Sequence, residues 1–312
     1  MAQNLRCNLT VDYQTTLKKQ VEFSGIGLHS GKMTRVRLYP AKFDTGIVFV
    51  RKDVTPSIMI RALNSYVIDS KLSTTLGREK ASVATVEHLM SALWGMGVDN
   101  ILIEVEGSEV PILDGSSYPF IKAFQKVGLV LQDKPRPYFV VTKPISIIQG
   151  DRYCYLMPHK SQRLSCSIEF DHPLIKKQLF DINLSPKEYV HKICQARTFG
   201  FVKDFEKLKN MGLISGGSLE NAIVLDDITV LNSGGLRYRD EFVRHKVLDL
   251  IGDMALMGVR ILGHMVAHKS GHQLHHQLIR KTLKEECGYI RGISEEPEVM
   301  QQFLMSLQAV SA

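Results

Sequence analysis

The sequence predicts an α+β fold in two domains, and three observations carry that prediction. At 312 residues the chain is longer than one typical domain. Strand-like and helix-like stretches are mixed in both halves, with only a few helices in each. Between the halves stands Lys134-Pro135-Arg136-Pro137, where two prolines block a helix and the charges keep the segment wet. The expected spans are therefore 1–134 and 138–312.

In the first half, Val21-Glu22-Phe23 reads as a strand leading into the glycine-punctuated turn Gly25-Ile26-Gly27-Leu28-His29-Ser30-Gly31. Arg35 to Tyr39 alternates polar and apolar as a half-buried strand does, and Gly46 to Val50 is a further strand. Val83, Val86, Leu89, Met90 and Leu93 recur at helical spacing, which predicts a helix over Ser82 to Trp94 closed by Gly95 and Gly97. Asn100 to Val105 is a buried strand, and Tyr118 to Val127 a second helix ended by Gly128. The second half opens on a strand at Tyr138 to Val141. Strands follow at Tyr153 to Leu156 and Leu164 to Phe170, and helices at Val202 to Met211, Glu241 to Met257 and Gly271 to Glu286. No internal repeat is visible in the sequence.

Composition narrows the function. Apolar residues make up 44% and charged residues 23%, ordinary for a soluble globular chain with a sizeable core. The net charge of +7 favours an anionic ligand, but the basic residues are scattered and form no nucleic-acid patch. No apolar run is long enough to span a bilayer, and Met1 to Asn8 has no apolar leader core. Cys7, Cys154, Cys166, Cys194 and Cys287 are odd in number and widely spaced, as in a reduced, cytoplasmic chain.

The chemistry concentrates in two distant segments. On the helix from Asp240 to Met257, His245, Asp249 and Asp253 step by about 40° each and form one polar stripe. Apolar residues fill most of the remaining circumference, so the stripe faces a cleft. His245 and Asp249, at i and i+4, can reach one metal ion. An exposed stripe or a simple His–Asp pair also fits these residues taken alone. On the other helix Glu87 and His88 diverge by about a quarter turn, so one can ligate while the other stands by unligated. That suits His88 as ligand and Glu87 as general base, although a solvated pair has the same sequence. If the segments meet, two imidazoles and one carboxylate form the ligand set of a catalytic zinc ion with an open fourth position.

Two more segments bear on a site. Ala267-His268-Lys269-Ser270-Gly271-His272 reads as a polar turn opening a helix, with His272 a candidate acid and Lys269 a candidate for phosphate. His264, His268, His275 and His276 lie nearby, and composition does not choose among them. In Ala196-Arg197-Thr198-Phe199-Gly200-Phe201, the Thr198 hydroxyl can donate to an oxyanion, while the phenylalanines also suit plain core. Gly216-Gly217-Ser218 lacks the Gly-Lys-Ser/Thr of a phosphate loop and reads as a turn.

The ordered set Thr85-Val86-Glu87-His88-Leu89, Ile112-Leu113-Asp114-Gly115-Ser116, Ala196 to Phe201, Gly216 to Ser218, Asp240 to Asp249 and Lys269 to His272 resembles the bacterial UDP-3-O-acyl-N-acetylglucosamine deacetylase family. Gly25 to Gly31 is similar to that family's N-terminal segment, and the likeness runs from about Val21 to about Leu283. The resemblance implies two similar domains, each a mostly antiparallel sheet with helices, the helices sandwiched between the sheets. It implies a zinc-dependent hydrolase (ferrous iron being the other candidate metal) that removes acetate from a UDP-linked, acylated glucosamine, the committed step of lipid A synthesis. His88, His245 and Asp249 would hold the metal, with Glu87 the base that takes a proton from the attacking water. His272, oriented by Asp253, would be protonated, stabilising the oxyanion and protonating the leaving amine, while Thr198 would bond the oxyanion or the bound water and Lys246 would add positive charge nearby. Phe170, Lys246 and Lys269 would contact the nucleotide-sugar end, and Phe199, Val202, Phe205, Ile214 and Leu219 would line an apolar passage for the acyl chain. The expected enzyme is a monomer that binds no nucleic acid and inserts in no membrane. A zinc amidohydrolase for another N-acyl sugar, or a non-catalytic nucleotide-sugar or lipid binding module, would share this outline.

Overall fold

The computed structural model describes residues 12–292 together with Gln302, Met305 and Leu307. Met1 to Asn8, Cys7 among them, lies outside the described residues, as do the outer ends of the two expected spans. Strand β1 (Tyr13–Leu17) precedes two hairpins, β2 (Val21–Ile26) with β3 (Met33–Pro40) and β4 (Ile47–Arg51) with β5 (Ile58–Arg61). A small ribbon of β6 (Val67–Asp69), β7 (Thr75–Arg78) and β8 (Ala81–Val83) leads to helix α1 (Glu87–Met96), strand β9 (Ile101–Glu106), helix α2 (Tyr118–Val127) and β10 (Leu129–Pro135). The second half begins with β11 (Tyr138–Val141) and again two hairpins, β12 (Ile145–Gln149) with β13 (Arg152–Met157) and β14 (Gln162–Phe170) with β15 (Lys176–Asn183). Helix α3 (Pro186–Lys192) follows, then β16 (Phe199–Phe201), α4 (Val202–Asn210) and β17 (Ile223–Leu225). Helix α5 (Glu241–Met254), β18 (Arg260–His268), α6 (His272–Lys284) and β19 (Gly288–Arg291) complete the order.

The two main sheets share one plan. The first is ordered β2-β3-β9-β4-β5, and the second contains β12-β13-β18-β14-β15. In each, the central strand runs antiparallel to the first hairpin (β3 or β13) and parallel to the second (β4 or β14). In each, one helix precedes the central strand and another follows it, α1 and α2 about β9, α5 and α6 about β18. The repeat invisible in the sequence is therefore plain in the strand order, because topology needs only periodicity and turns, not residue identity. Strand β18 is long enough to serve twice, since Arg260 to Leu262 pair with β11 and Gly263 to His268 with β14.

The helices make the layer where the sheets meet. Helices α5 and α6 lie on the second sheet, α2 touches β2 of the first, and α1 packs along α5. Nearly the whole of α5 is buried, as its apolar circumference requires. Gly252 permits the closest approach, since a Cβ there would stand 2.0 Å from the carbonyl oxygen of Glu87.

Two expectations shift. Helix α1 starts at Glu87, not Ser82, because Ser82 pairs with Gly77 in the ribbon and Thr85 has φ +56°, which no right-handed helix contains. Ala267 and His268 end strand β18 instead of opening a helix, and α6 begins at His272. At the expected linker, Lys134 and Pro135 close β10, which is paired with β1. The Arg136 guanidinium is held by Asp12 at 2.5 Å and Asp99 at 2.9 Å.

Candidate active site

The first turn of α1 and the middle of α5 face each other and bring the two distant segments together. His88 Nε2 lies 3.6 Å from Asp249 Oδ1, and His245 Nε2 lies 3.3 Å from the same oxygen. The imidazole centroids are 5.0 Å apart with rings nearly perpendicular. The ligand atoms of His88, His245 and Asp249 all fall within 4.8 Å of one another, and all three residues are buried.

The donor set fits a cation. The Nδ1 of His245 is 3.2 Å from the Ala196 carbonyl oxygen, a bond that places the ring proton on Nδ1 and leaves the Nε2 lone pair facing Asp249. Burial pushes the His245 pKa down to about 3, so the ring is neutral near pH 7. Asp249 is also buried, which alone would raise its pKa, but the Lys246 ammonium bonded to it and the cationic His272 beyond outweigh this and hold it well below the usual range. Lone pairs of a neutral imidazole and a carboxylate thus converge on one point beside His88, an arrangement that a divalent ion relieves. Lys246 Nζ takes the other oxygen, Asp249 Oδ2, at 2.8 Å. The Nδ1 of His88 is buried without a hydrogen-bond partner among the described residues.

Beside this cluster stands a second one, Asp253, His272 and His275, with atoms equally close. Its chemistry differs. Both His272 Nδ1 and His275 Nδ1 lie 2.7 Å from Asp253 Oδ2, so both rings spend N–H groups on one carboxylate oxygen. No lone pair of theirs is left pointing inward, and the arrangement stabilises a cationic imidazole. Burial alone would lower the His272 pKa, but Asp253, with Glu87 and Asp249 beyond it, raises it to about 9. Burial depresses His275, and takes His276 down to about 4. Glu87 Oε1 lies 3.9 Å from His272 Nε2, and burial raises the Glu87 pKa above the ordinary glutamate value. The two groups expected to act as base and acid therefore face one another beside the three donors, one with its pKa pushed up as a carboxylate and the other kept cationic.

The chain reaches this geometry through a strained turn. Thr85, β-branched and at φ +56°, is an outlier that costs on the order of 1–3 kcal/mol. Its hydroxyl donates to Glu109 Oε1 at 2.8 Å, while the backbone N–H groups of His29 and Ser30 donate to the same carboxylate. One buried glutamate thereby ties the Gly25 to Gly31 turn to the residue that aims Glu87 and His88.

Thr198 follows Ala196 by two positions, and its backbone N–H bonds to the Gly115 carbonyl oxygen at 2.8 Å. The Phe199 ring is 6.3 Å from that of His245, and it meets Phe170 at 5.7 Å. Lys269 Nζ is held by Asp151 and Glu169, each at 2.9 Å. Val202, Phe205 and Leu219 are exposed apolar residues, and α4 has no buried side chain. Ile214 has φ +50° and begins a turn that docks on the Gly25 to Gly31 segment, where Ser215 N–H bonds to His29 O and Gly216 N–H to Leu28 O. The glycines of Gly216-Gly217-Ser218 thus serve close approach, since a Cβ at Gly216 would lie 2.3 Å from the Gly27 carbonyl oxygen. Of the clustered histidines, His264 and His268 point instead to Ser165 and Ser167 on β14.

Sequence reasoning gave no role to Thr74, Glu109 or the buried pair Arg197–Glu241, at 2.9 Å, and left His275 and His276 unchosen among the clustered histidines. A charge beside the apolar start of α5 was the available signal for Glu241, and the Ser73-Thr74-Thr75 run carries no signal at all.

The chain is similar to known proteins along most of its length. A family model described as UDP-3-O-acyl N-acetylglycosamine deacetylase matches residues 14–284. Similar proteins include the UDP-3-O-acyl-N-acetylglucosamine deacetylase of Myxococcus xanthus (strain DK1622), 49% identical over 276 residues, 88% of either chain. That of Geobacter sp. (strain M21) is 47% identical over 89% of this chain and 91% of its own. The enzyme of Geotalea uraniireducens (strain Rf4) is 43% identical over 95% of this chain and 96% of its own.

Proposed function

The chain belongs to the UDP-3-O-acyl N-acetylglycosamine deacetylase family, and from that premise we propose how its own residues perform the reaction. It is a metal-dependent deacetylase of lipid A biosynthesis that hydrolyses the N-acetyl amide of a UDP-3-O-acyl-N-acetylglucosamine. The observation that carries the mechanism is the convergence of three ligand atoms within 4.8 Å beside a buried glutamate and a cationic histidine.

His88, His245 and Asp249 would hold zinc, the metal this nitrogen and oxygen donor set suits, with ferrous iron the alternative. When bound, the ion supplies Lewis acidity, lowering the pKa of water toward about 7 and polarising the amide carbonyl. Glu87 accepts a proton from the attacking water as its oxygen bonds to the acetyl carbon. The developing oxyanion is met by the Thr198 hydroxyl, by the Lys246 charge and by His272 in its cationic form. His272 then gives its Nε2 proton to the sugar nitrogen, the C–N bond breaks, and acetate and the free amine leave. Asp253, bonded to His272 Nδ1, keeps the ring oriented and charged throughout.

We assign Phe170, Lys246 and Lys269 to the nucleotide-sugar end, and Phe199 with the exposed apolar residues Val202, Phe205 and Leu219 and with Ile214 to a path for the acyl chain. We place this reaction as the committed step, carried out by a monomer in the cytoplasm. The four described cysteines are free, and burial pushes Cys154, Cys166 and Cys194 up to about 12, so they are poorly suited to redox chemistry. No helix among the described residues is long and apolar enough to cross a membrane. We divide the chain near the β10–β11 junction into 1–134 and 138–312, a division that the duplicated strand order supports.

The test is acetate release from the UDP-linked, 3-O-acylated substrate, with metal content measured before and after a chelator. Turnover that needs the acyl chain and is lost and regained with the metal supports the reading. Equal turnover without the acyl chain points to a general N-acyl sugar amidohydrolase, and turnover untouched by metal removal overturns the mechanism.

A further inference from the structure

We propose that Thr74, in the turn leading into β7, is the positioning residue that fixes the general base and the acid's carboxylate partner relative to each other. The inference rests on the roles of Glu87, Asp253 and His272 given above. Thr74 is fully buried. Its backbone N–H donates to Glu87 Oε2 at 3.0 Å, and its hydroxyl donates to Asp253 Oδ1 at 2.6 Å.

Each bond occupies one oxygen of a carboxylate and leaves the other for the chemistry. Glu87 Oε1 is the oxygen that lies 3.9 Å from His272 Nε2. Asp253 Oδ2 is the oxygen that receives His272 Nδ1 and His275 Nδ1. A carboxylate with one oxygen pinned cannot rotate about its terminal bond without breaking a buried hydrogen bond. One residue therefore sets the aim of both catalytic carboxylates.

Proton counting shows how Thr74 is itself held. Its hydroxyl has a single proton, and the short bond to the charged Asp253 claims it. His276 Nε2, 3.0 Å from the same hydroxyl oxygen, must then be a donor. With its pKa down at about 4 the His276 ring has a single proton, the one on Nε2, so Nδ1 accepts, and the Asn64 side-chain amide 2.9 Å away turns its nitrogen toward it as donor. The chain Asn64–His276–Thr74–Asp253 crosses between the halves of the molecule, with Asn64 and Thr74 from the first and Asp253 and His276 from the second. None of these hydrogen bonds touches His88, His245 or Asp249, so the loss of one should leave the metal in place.

The experiment compares Thr74→Val, Thr74→Ala and Thr74→Ser with the full-length native enzyme, measuring kcat, KM and metal content with the 3-O-acylated UDP-sugar. Valine keeps the shape and the backbone N–H but leaves Asp253 Oδ1 without its donor, and alanine does the same with room for water should valine fail to fold. We expect kcat to fall about ten- to a hundredfold in both, the scale of one unmade buried bond to a charged group, with KM and metal content unchanged. Serine, which restores the hydroxyl, should recover kcat to within a few-fold. Native kcat in the valine and alanine variants overturns the proposal, as does a loss carried by KM or by metal, or a serine variant no better than valine. Unaffected Thr74 variants of an active native enzyme remove the positioning role alone. A native chain that releases no acetate removes the roles of Glu87 and His272 and this proposal with them.

Discussion

Replacing Asp253 by asparagine isolates the electrostatic hold on His272. The amide keeps the size of the side chain but carries no charge to oppose the burial of the imidazolium. With Asp253 present, His272 is raised from 6.5 to about 9 despite that burial. With it absent, only the more distant Glu87 and Asp249 oppose burial, and the pKa falls back toward the ordinary 6.5. His272 acts as an acid, so its working form is populated below its pKa. The native rate should therefore fall as pH rises through about 9, and the variant rate as pH rises through about 6.5. At pH 8 the cationic fraction drops from about 0.9 to about 0.03, a loss of roughly thirtyfold. At pH 6 the same calculation gives only about 1.3-fold. The assay is kcat for acetate release across pH 5.5 to 10 for both proteins, with metal content measured in parallel. A deficit equal at pH 6 and pH 8, or a basic limb that stays near 9 in the variant, would refute the reasoning. Stability should follow the same window. A raised histidine pKa stabilises the fold fully below about 6.5, and the contribution is lost as pH rises through about 9. The native melting temperature should decline over that interval, and that of Asp253→Asn should not.

Glu87→Gln should retain its metal and lose most of its turnover, with the acidic limb of the rate profile, which burial of Glu87 places above the usual carboxylate range, disappearing; full activity would remove the base assignment. Asp249→Ala takes away the carboxylate within 3.6 Å of both imidazoles, and metal analysis after dialysis should find the site empty. Gly252→Ala puts a Cβ 2.0 Å from the Glu87 carbonyl oxygen and must push α1 off α5, at a cost of about 1–3 kcal/mol. Calorimetry should show the lower melting point, and metal titration a weaker site; native behaviour in both would mean the helices have slack that the geometry does not suggest.

How much of this was readable from the sequence depends on the distance over which each feature is determined. The stripe His245, Asp249 and Asp253 could be read because one helix fixes its own periodicity and the apolar residues around it mark it as buried. Glu87 and His88 were readable as a divergent pair for the same local reason. The start of their helix was not, because Thr85 adopts its positive φ through a bond to Glu109, 24 residues away. Nor could composition rank the histidines. His264 and His268 alternate on β18 toward serines of β14, while His272, His275 and His276 share a helix that meets Asp253.

The division has a physical cause that bears on the chemistry. Donor identity belongs to the helices, so a sequence shows which side chains are available within a turn or two. Aim belongs to tertiary hydrogen bonds, and here they run across the molecule. The Ala196 carbonyl selects the His245 tautomer from 49 residues away, and the Thr74 hydroxyl reaches Asp253 across 179. A site assembled in this way is active only when both halves are docked, because α1 alone presents His88 without its partners and α5 alone presents a stripe with no base. The 2.0 Å clearance at Gly252 therefore does more than pack two helices, since it sets the distance at which Glu87 meets His272 and His88 meets Asp249. Small changes at that contact should alter metal affinity and proton transfer together, whereas changes at Thr74 should alter turnover alone.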